Sequence, residues 1–437
     1  MAIDSPVAWR RTFGRWADGT GPRDRLAGLL ARTSRWAIHT TGSGGGSTLP
    51  GRLAEYVAPG VLGRTVSGLR PIVLVSATNG KTTTTALLSA ALRAAGRPVV
   101  TNATGSNLHR GLTATVLASR PATGCAVLEV DEATLPGVMD ELHPDMLVLL
   151  NLSRDQLDRF HEVHTTAERW RAAAGRLPGG ARIVAVDHDP LVCRVAEELA
   201  EPVTVGLDGA GLGRDSAGCP VCGELLVSNG GRPGCDACGW HPRERTVRAE
   251  LTPSGVRLEG LGGSREASLP VASPGYAANV AAAWAAAVTL GVEPEVAIEA
   301  IAGVRVVESR YADLPWRGRT VRLLLAKNPA GWDDVLAGVA ASTRPAVVSI
   351  NAGIPDGRDT SWIWDVDMRS LRGRSVVVAS GARAEDIALR LTVAGLDPVV
   401  EPNLERALLR VCAEDDSVDL LGDYTSFQAG RRLVRDG

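Results

Sequence analysis

Lysine, aromatic side chains and long apolar runs are all scarce in this chain. Only Lys81 and Lys327 are lysines among 47 basic residues, and aromatic residues make up 4% of the sequence. The formal net charge of −2 excludes a global field that would draw the chain onto nucleic acid or an acidic membrane. Because no run of about 18 uninterrupted apolar residues occurs, we predict no membrane-spanning helix.

The first residues also lack the pattern of an export signal. Arg10 and Arg11 are followed by Thr12 and Phe13 instead of an apolar segment. Seven cysteines are present, and four of them form two closely spaced pairs suited to a metal ion. We therefore expect a cytoplasmic protein.

The chain is long enough for several domains. Its 437 residues, 45% of them hydrophobic, correspond to roughly three domains. We expect a helical segment and linker at 1–48, a central α/β domain at 49–312 and a second α/β domain at 313–437. A small insertion around the paired cysteines is expected at about 215–245.

Short β-branched runs separated by helix-length segments predict parallel sheets in both larger domains. The alanine-rich stretch 277–290 predicts a helix. The predicted strands are 72–75, 126–130, 146–150 and 183–186 in the central domain, and 321–325, 346–350, 376–379 and 418–421 in the second.

A strand, a tight turn and a helix follow one another across residues 72–88, as a phosphate-binding loop requires. Backbone N–H groups and the helix dipole would face the phosphates, Lys81 would reach the β- and γ-phosphates, and the Thr82 hydroxyl would ligate Mg²⁺. Val75 departs from the usual pattern, which has glycine at this position. An ordinary strand–turn–helix is the alternative interpretation. The candidate nucleotide-binding residues are Thr78, Asn79, Gly80, Lys81, Thr82 and Thr83.

Acidic residues follow two further predicted strands. Glu129 opens the segment 129–132 (EVDE), and Asn151 opens the segment 151–160 (NLSRDQLDRF). Ligands bind at the carboxyl ends of strands in open α/β sheets, so these carboxylates are candidates to hold Mg²⁺ between ATP phosphates. Solvated loop acids or helix caps are the alternative.

The paired cysteines have the spacing of a metal-binding ribbon. Cys219 and Cys222 form one pair, Cys235 and Cys238 form the other, and a glycine follows each pair. Four thiolates leave no open coordination position, so a structural zinc site is predicted, with rubredoxin-type iron as the alternative. His241 is then not needed as a ligand.

Taken together, these residues resemble the Mur ligase family. The similarity to its central domain rests on the phosphate loop, Glu129, Asn151 with 155–158 (DQLD), and Asn279. The resemblance extends to the MurT branch of that family through Leu49-Pro50-Gly51, the cysteine pairs, 327–331 (KNPAG) and 356–362 (DGRDTSW). It implies an α/β fold: a Mur ligase-type central P-loop domain with an inserted four-cysteine zinc ribbon, plus a C-terminal Rossmann-like domain.

The resemblance also implies an activity: ATP-dependent amidation of the D-glutamate α-carboxylate in the lipid II stem peptide, through an acyl phosphate. Lys81 and Glu129 would be catalytic, Thr82 and Glu129 would hold Mg²⁺, Asn279 would lie near the adenine, and Arg310 would approach the phosphates. The implied cofactors are ATP, Mg²⁺ and Zn²⁺.

The source of ammonia follows from the remaining cysteines. Cys125, Cys193 and Cys412 have no neighbouring histidine in the sequence and are interpreted as buried structural residues. A glutaminase subunit resembling GatD is therefore expected as partner in a heterodimer. By resemblance, Asp359 would orient the catalytic histidine of that partner; the alternative is that Asp359 only caps a turn.

Several departures from ordinary Mur ligases matter. No lysine lies between Lys81 and Lys327, so the carbamylated lysine of many family members has no counterpart here. Gln156 replaces the histidine of the family's Asp-His-x-Asp signature. The first fifty or so residues leave no room for the domain that binds UDP-linked precursors. A lipid-linked substrate, met at the inner face of the cytoplasmic membrane, is therefore expected.

Two rival functions would each need features that differ from those of the sequence. A folylpolyglutamate-type amino-acid ligase would need no glutaminase, but it would use the carbamylated lysine that is missing. A zinc-ribbon binding module with a nucleotide switch would need a basic, aromatic ribbon face. Between Cys222 and Cys235 the only cation is Arg232 and no aromatic residue occurs, so nucleic acid is not expected as a partner.

Overall fold

The computed structural model describes most of the chain. The described residues are 21–41, 49–102, 106–119, 124–154, 163–212, 214–229, 232–304, 311–353 and 356–436. The glycine-rich link predicted at 42–47 lies outside them. None of the described helices combines the length and the apolar composition needed to cross a bilayer.

The described residues form fourteen α-helices: α1 (Pro22–Thr41), α2 (Leu49–Val57), α3 (Val61–Val66), α4 (Lys81–Ala94), α5 (His109–Ser119), α6 (Leu135–Leu142), α7 (Val163–Ala174), α8 (Pro190–Ala196), α9 (Pro274–Thr289), α10 (Pro294–Ala302), α11 (Pro329–Val339), α12 (Ala384–Val393), α13 (Leu404–Cys412) and α14 (Tyr424–Asp436). Short 3₁₀ helices cover Arg214–Ser216, Ser361–Asp365 and Met368–Leu371.

They also form seventeen strands: β1 (Ile72–Ser76), β2 (Val99–Thr101), β3 (Cys125–Glu129), β4 (Met146–Leu149), β5 (Arg182–Val186), β6 (Val203–Leu207), β7 (Val227–Asn229), β8 (Arg232–Gly234), β9 (Val247–Thr252), β10 (Gly255–Gly260), β11 (Ser264–Ser268), β12 (Tyr311–Trp316), β13 (Arg319–Leu325), β14 (Ala346–Ser349), β15 (Val377–Ser380), β16 (Val399–Val400) and β17 (Ser417–Gly422). Each strand predicted from a β-branched run is present, with ends shifted by one or two residues.

The larger sheet has nine strands in the order β11-β10-β9-β6-β5-β4-β1-β3-β2. Strands β1 to β6 pair in parallel, as predicted, and β9 continues this pairing on β6. The antiparallel strands β9, β10 and β11 extend the sheet beyond the predicted units. Buried and more exposed residues alternate along β9 and in part along β10, which is typical of a sheet that packs on a core with only one of its faces.

Apolar cores cover both faces of this sheet. All five residues of β1 are buried, because helices pack on both sides of a central parallel strand. One core joins the sheet to α4, α9 and α10, and the other joins it to α3 and α5 to α8. The N-terminal helices α1 and α2 add a smaller cluster against α5 that includes Ala27, Ala54 and Leu117.

The second sheet has six strands in the order β12-β13-β17-β14-β15-β16. Strands β13 to β17 pair in parallel, and β12 pairs antiparallel with β13, so the sheet is mixed where the sequence predicted only parallel strands. Helices α11 and α12 lie over one face, and α13 and α14 over the other.

The strand order brings the predicted ligand-binding loops together. Strand β1 lies between β3 and β4, and Val75 is paired with Glu129 while Ser76 is paired with Leu149. The loops after these three strands therefore leave the sheet at the same carboxyl edge, which is where open α/β sheets bind ligands.

Candidate functional site

The phosphate loop has the predicted strand–turn–helix form. Gly80 precedes α4 with φ at 92°, in the left-handed region that glycine adopts without strain. Helix α4 begins at Lys81 with no side-chain cap, so the first N–H groups of the helix remain available to an anion. A side chain could not replace the glycine hydrogen, because a Cβ there would lie 2.3 Å from Asn279 Oδ1 of α9.

Lys81 is held inside the site by a carboxylate. Its Nζ lies 2.9 Å from Oε2 of Glu132 and also donates to the carbonyl oxygens of Ala77 and Thr78. The side chains of Lys81 and Glu132 are 5% and 16% exposed, so the ion pair is largely removed from water. Sequence reasoning named the segment that contains Glu132 but did not assign this residue to Lys81.

Glu129 is the last residue of β3, and only one of its two carboxylate oxygens accepts a hydrogen bond from a described residue. Its side chain is buried, and Asn107 Nδ2 donates to Oε1 at 3.2 Å. Oε2 is buried without a hydrogen-bond partner among the described residues. Both backbone groups of Glu129 bond to the amide of Asn102, at 2.8 Å each, which fixes the carboxylate's position. A buried carboxylate oxygen without a donor fits a Mg²⁺ ligand.

Half-buried Thr82 and buried Thr83 lie in the first turn of α4. Because Thr82 is the second residue of α4, its hydroxyl belongs to the same end of the helix as the free N–H groups. Thr82 and Glu129 both lie at the carboxyl edge of the sheet, and both carry side-chain oxygens of the kind that magnesium prefers.

The loop after β4 holds the phosphate loop through hydrogen bonds. Asn151 exchanges two hydrogen bonds with the backbone of Asn79, each 2.9 Å long. The Thr78 hydroxyl accepts from Ser153 N–H at 3.0 Å and donates to the Ser153 carbonyl at 3.1 Å. Asp189, which caps α8, accepts from the N–H of Leu152 at 2.6 Å, and burial raises the pKa of Asp189 to about 6. These bonds preorganise the loop.

Beside the phosphate loop lies a cavity of about 510 Å³, bounded by both larger units of the chain. Its lining is mostly apolar, as nucleobase pockets usually are. The predicted residues Asn79, Gly80, Thr83 and Asn279 all border it. The lining also includes His188 and Tyr276 from the central unit and Asp334 from the second unit.

Three polar side-chain atoms at this cavity are buried without hydrogen-bond partners among the described residues. They are His188 Nδ1, the Tyr276 hydroxyl oxygen and Ser153 Oγ. Burial lowers the pKa of His188 and raises the pKa of Tyr276 to about 12, so both side chains are neutral near pH 7. Neither was predicted, because no local motif distinguishes them in the sequence.

Helix α11 of the second unit contacts the phosphate loop directly. Asn328, which caps α11, accepts from Asn79 Nδ2 at 3.1 Å. Asp334 accepts from Gly275 N–H at 2.6 Å and from the Ser273 hydroxyl at 3.0 Å, at the start of α9. These bonds hold the two larger units of the chain together around the cavity.

Two predicted contributors cannot be placed. Arg310, expected near the phosphates, and the DQLD segment 155–158 lie outside the described residues. Their assignments therefore stay predictions.

The four cysteines of the ribbon converge on one point. The Sγ atoms of Cys219, Cys222, Cys235 and Cys238 all lie within 4.8 Å of one another, a spacing that one metal ion can fill. Gly223 and Gly239, the glycines that follow the pairs, have φ of 81° and 74° and donate N–H back to the first cysteine's carbonyl. The β7–β8 hairpin separates the two pairs.

Asp359 lies on an exposed loop of the second unit. Ser361 N–H donates to its Oδ1 at 2.8 Å and lowers the pKa of the carboxyl. The base of the loop is fixed by buried Asp356, which accepts from the N–H of Thr425 at 2.9 Å and from its hydroxyl at 2.5 Å, at the start of α14. The carboxylate of Asp359 thus faces solvent from a loop with a fixed base.

The three remaining cysteines are buried, as predicted. Burial raises the pKa of the thiols of Cys125, Cys193 and Cys412. A thiol with a raised pKa forms little thiolate near pH 7, so these residues do not fit the role of nucleophile.

Comparison with known proteins places this site in a family. Residues 75–212 match the Mur ligase middle domain, and residues 325–427 match the MurT ligase C-terminal domain. "Lipid II isoglutaminyl synthase (glutamine-hydrolyzing) subunit MurT" of Streptococcus pneumoniae is 30% identical over 434 residues, covering 93% of this chain and 96% of that protein. The protein of the same name from Staphylococcus aureus strain N315 is 28% identical and covers 91% and 94%.

Solved structures show the same fold. A pseudomurein peptide ligase type C from Methanothermus fervidus superimposes with a TM-score of 0.68 at 19% identity, covering 86% of this chain and 80% of that one. The MurF ligase from Thermotoga maritima in complex with ADP gives 0.62 at 15% identity, covering 86% and 82%. The chain belongs to the MurT family of ATP-dependent Mur ligases.

Proposed function

We propose that this chain is the ligase subunit that amidates the α-carboxylate of D-glutamate in the stem peptide of lipid II, giving D-isoglutamine. The observation that carries the proposal is the ordered phosphate loop, with Lys81 at the start of α4 and the partly unsatisfied Glu129 at the neighbouring strand end. The similarity to relatives named as lipid II isoglutaminyl synthase subunits supports the choice of substrate.

The first step activates the carboxylate. A carboxylate oxygen attacks the γ-phosphorus of ATP, the bond to the β-phosphate oxygen breaks, and an acyl phosphate and ADP result. Lys81 and the N–H groups at the start of α4 stabilise the negative charge on the transferring phosphoryl group. For this, Lys81 exchanges its bond with Glu132 for one with phosphate.

Thr82 and Glu129 are the residues that would hold Mg²⁺. The ion would neutralise charge on the phosphate oxygens of ATP when bound. The buried Oε2 of Glu129 has no donor among the described residues, which supports this assignment. Asn279 borders the cavity beside Gly80 and is proposed to contact the nucleotide base.

In the second step, ammonia attacks the carbonyl carbon of the acyl phosphate. The bond from carbon to the phosphate oxygen breaks, phosphate leaves, and the nitrogen loses one proton to give the amide. The buried cysteines, with their raised pKa, supply no nucleophile for hydrolysing glutamine. A GatD-like glutaminase subunit is therefore proposed as the ammonia source, with Asp359 orienting its catalytic histidine.

The ribbon is proposed to hold a structural zinc ion. Four sulfur atoms within 4.8 Å of one another suit a closed tetrahedral site, which prefers Zn²⁺ and leaves no position for substrate. Trp240 Nε1 donates to Glu197 at 2.9 Å and anchors the ribbon beside α8. Metal analysis of the purified protein distinguishes zinc from iron.

The test of the proposed function combines the chain with its candidate glutaminase, glutamine, ATP, Mg²⁺ and lipid II. Mass spectrometry of the stem peptide should show replacement of a hydroxyl by an amino group only when both proteins are present. Absence of ATP hydrolysis with every substrate would reject the ligase assignment.

Asp359→Asn separates the two halves of the reaction. The variant should lose glutamine-dependent amidation and keep ammonium-dependent amidation, because only the supply of ammonia involves this carboxylate. Asp397→Asn, at another exposed aspartate of the second unit, should change neither. Retained glutamine use by Asp359→Asn would refute its role in the partner's site.

A further inference from the structure

Helix α2 is apolar on two sides. Its inward residues Pro50, Gly51 and Ala54 are buried, and a Cβ at Gly51 would lie 1.8 Å from the Arg110 carbonyl oxygen, so this side packs closely against α5. A helix of a water-soluble domain normally places polar residues on its other side. On α2 that side also carries apolar residues, and no packing among the described residues covers them.

The outer side of α2 carries a row of exposed apolar residues. Leu49, Leu53 and Tyr56 recur at intervals of four and three residues, and they are 48%, 39% and 88% exposed. Together with Arg52 and Arg110 they line an open groove of about 520 Å³. Contiguous exposed apolar residues on a soluble protein mark an interaction site. We call these five residues the α2 face.

The charge of the α2 face is positive. Arg52 and Arg110 are exposed. The acidic Glu55 in the same groove accepts from His109 Nδ1 at 2.8 Å, and its Oε2 lies 3.6 Å from Arg110 Nε, so the two arginines outnumber the one carboxylate. Glu141, first, and then Glu55 raise the pKa of His109 to about 9, so the imidazolium offsets the charge of Glu55 at neutral pH. Leucine and tyrosine beside arginine are the composition of helices that lie in the interface of an anionic bilayer.

We propose that the α2 face binds the surface of a membrane that contains anionic phospholipids, with the apolar side chains entering the headgroup region and the two arginines contacting phosphates. Because α1 packs against α2, its exposed Leu26 and Leu29 lie on a neighbouring helix and can extend the contact. The role of this contact in presenting lipid-linked substrate rests on the proposed function. Binding to the membrane itself does not.

Vesicle sedimentation tests the proposal with the full chain. The wild-type protein should bind vesicles of phosphatidylglycerol and phosphatidylcholine in equal amounts about tenfold more tightly than phosphatidylcholine alone, and salt should weaken this binding. The Leu53→Ser/Tyr56→Ser double variant should lose about tenfold or more of its affinity. Arg52→Glu should weaken only binding to the anionic vesicles.

The matched control is Leu389→Ser/Val393→Ser, which removes two exposed apolar residues one helical turn apart on α12. It should bind vesicles as the wild type does. Equal binding by the wild type and the α2 double variant, or no binding by the wild type, would overturn the proposal. A wild-type dimer that the double variant converts to monomer would show instead that a second copy covers the α2 face.

Activity assays distinguish membrane binding by the α2 face from the proposed ligase function. The α2 double variant should amidate a lipid-free stem peptide as fast as the wild type, and should amidate lipid II in vesicles more slowly. Equal rates on lipid II would remove the substrate-presenting role. A wild type that amidates neither substrate, yet binds vesicles through the α2 face, would reject the proposed function and leave the membrane contact standing.

Discussion

Lys81 has a carboxylate partner before any phosphate arrives. Glu132 lies 2.9 Å from Nζ, and both side chains are largely buried. A buried ammonium without a counter-charge would be costly, so Glu132 stabilises the folded site while no nucleotide is present. Nucleotide phosphates must then compete with Glu132 for the ammonium group of Lys81. This competition lowers the apparent affinity of the site for nucleotide, and a more stable ion pair lowers it further.

Glu132→Gln tests this competition. We expect the free energy of unfolding without nucleotide to fall by about 2 kcal/mol, because Lys81 keeps an acceptor but loses its counter-charge. We also expect Mg²⁺-free ATP to bind about fivefold more tightly, because phosphate no longer displaces a carboxylate. Urea unfolding and titration with a fluorescent ATP analogue measure the two effects.

Glu168→Gln is the matched control, since Glu168 is an exposed partner of Arg171 on α7 and should change neither quantity measurably. Weaker ATP binding by Glu132→Gln would contradict competition and would indicate that Glu132 assists the bound nucleotide.

Sequence patterns predicted residues that belong to a continuous motif. They did not predict contacts between residues that lie far apart along the chain. Lys81 was predicted because the phosphate loop is a continuous motif. Glu132 lies 51 residues from Lys81, and Asn328 lies 249 residues from Asn79. Contacts at such separations depend on strand order and on the docking of two sheets, which no local pattern specifies.

The side chain of His109 connects three helices through ion pairs. His109 begins α5 and contacts Glu55 of α2 at 2.8 Å and Glu141 of α6 at 2.5 Å. Glu141 also accepts from Gly63 N–H of α3 at 3.1 Å. The charged imidazole therefore ties α2 to α5 and α6, two helices that pack on the larger sheet.

This link should make stability depend on pH. The folded pKa of His109, about 9, lies above its ordinary value of 6.5, so the folded state binds the proton more tightly. The contribution is fully present below about pH 6.5 and is lost as the pH rises through about 9. We expect a loss of about 1 kcal/mol in the free energy of unfolding, because solvent screens this partly exposed group.

The measurement is urea unfolding at about pH 6 and about pH 10, with His109→Gln as the comparison. The wild type should lose more stability than the variant across this interval. Equal losses in both proteins would show that other groups cause the dependence.

The strands also show which parts of a sheet can be predicted from sequence patterns. Strands β1, β3, β4 and β5 were predicted because each is a short β-branched run buried on both faces. The β9–β11 extension was not predicted, because arginine and glutamate alternate with its buried residues and resemble a charged linker. Its pairing with β6 is a tertiary contact.

For the whole molecule, the central arrangement is two sheets joined across one cavity. Asn328 bonds to the phosphate loop, and Asp334 bonds to the start of α9. Since residues of both units line the cavity, nucleotide affinity should depend on how well these units are held together.

Asp334→Ala should therefore weaken ATP binding by about tenfold, with little change in the chemical step once ATP is saturating. The cause is loss of the bonds to Ser273 and Gly275 that hold α11 against α9. Asp416→Asn, at a 90% exposed residue of the second unit, is the control. The split between KM and kcat measures the effect, and a fall in kcat alone would contradict it.

The tether between Asp356 and Thr425 has a consequence for how the chain is handled. It makes the presentation of Asp359 depend on α14, a helix that lies more than sixty residues further along the sequence. If Asp359 has the role proposed above, shortening that helix or fusing a tag to it should reduce glutamine-dependent amidation while the phosphate loop stays intact.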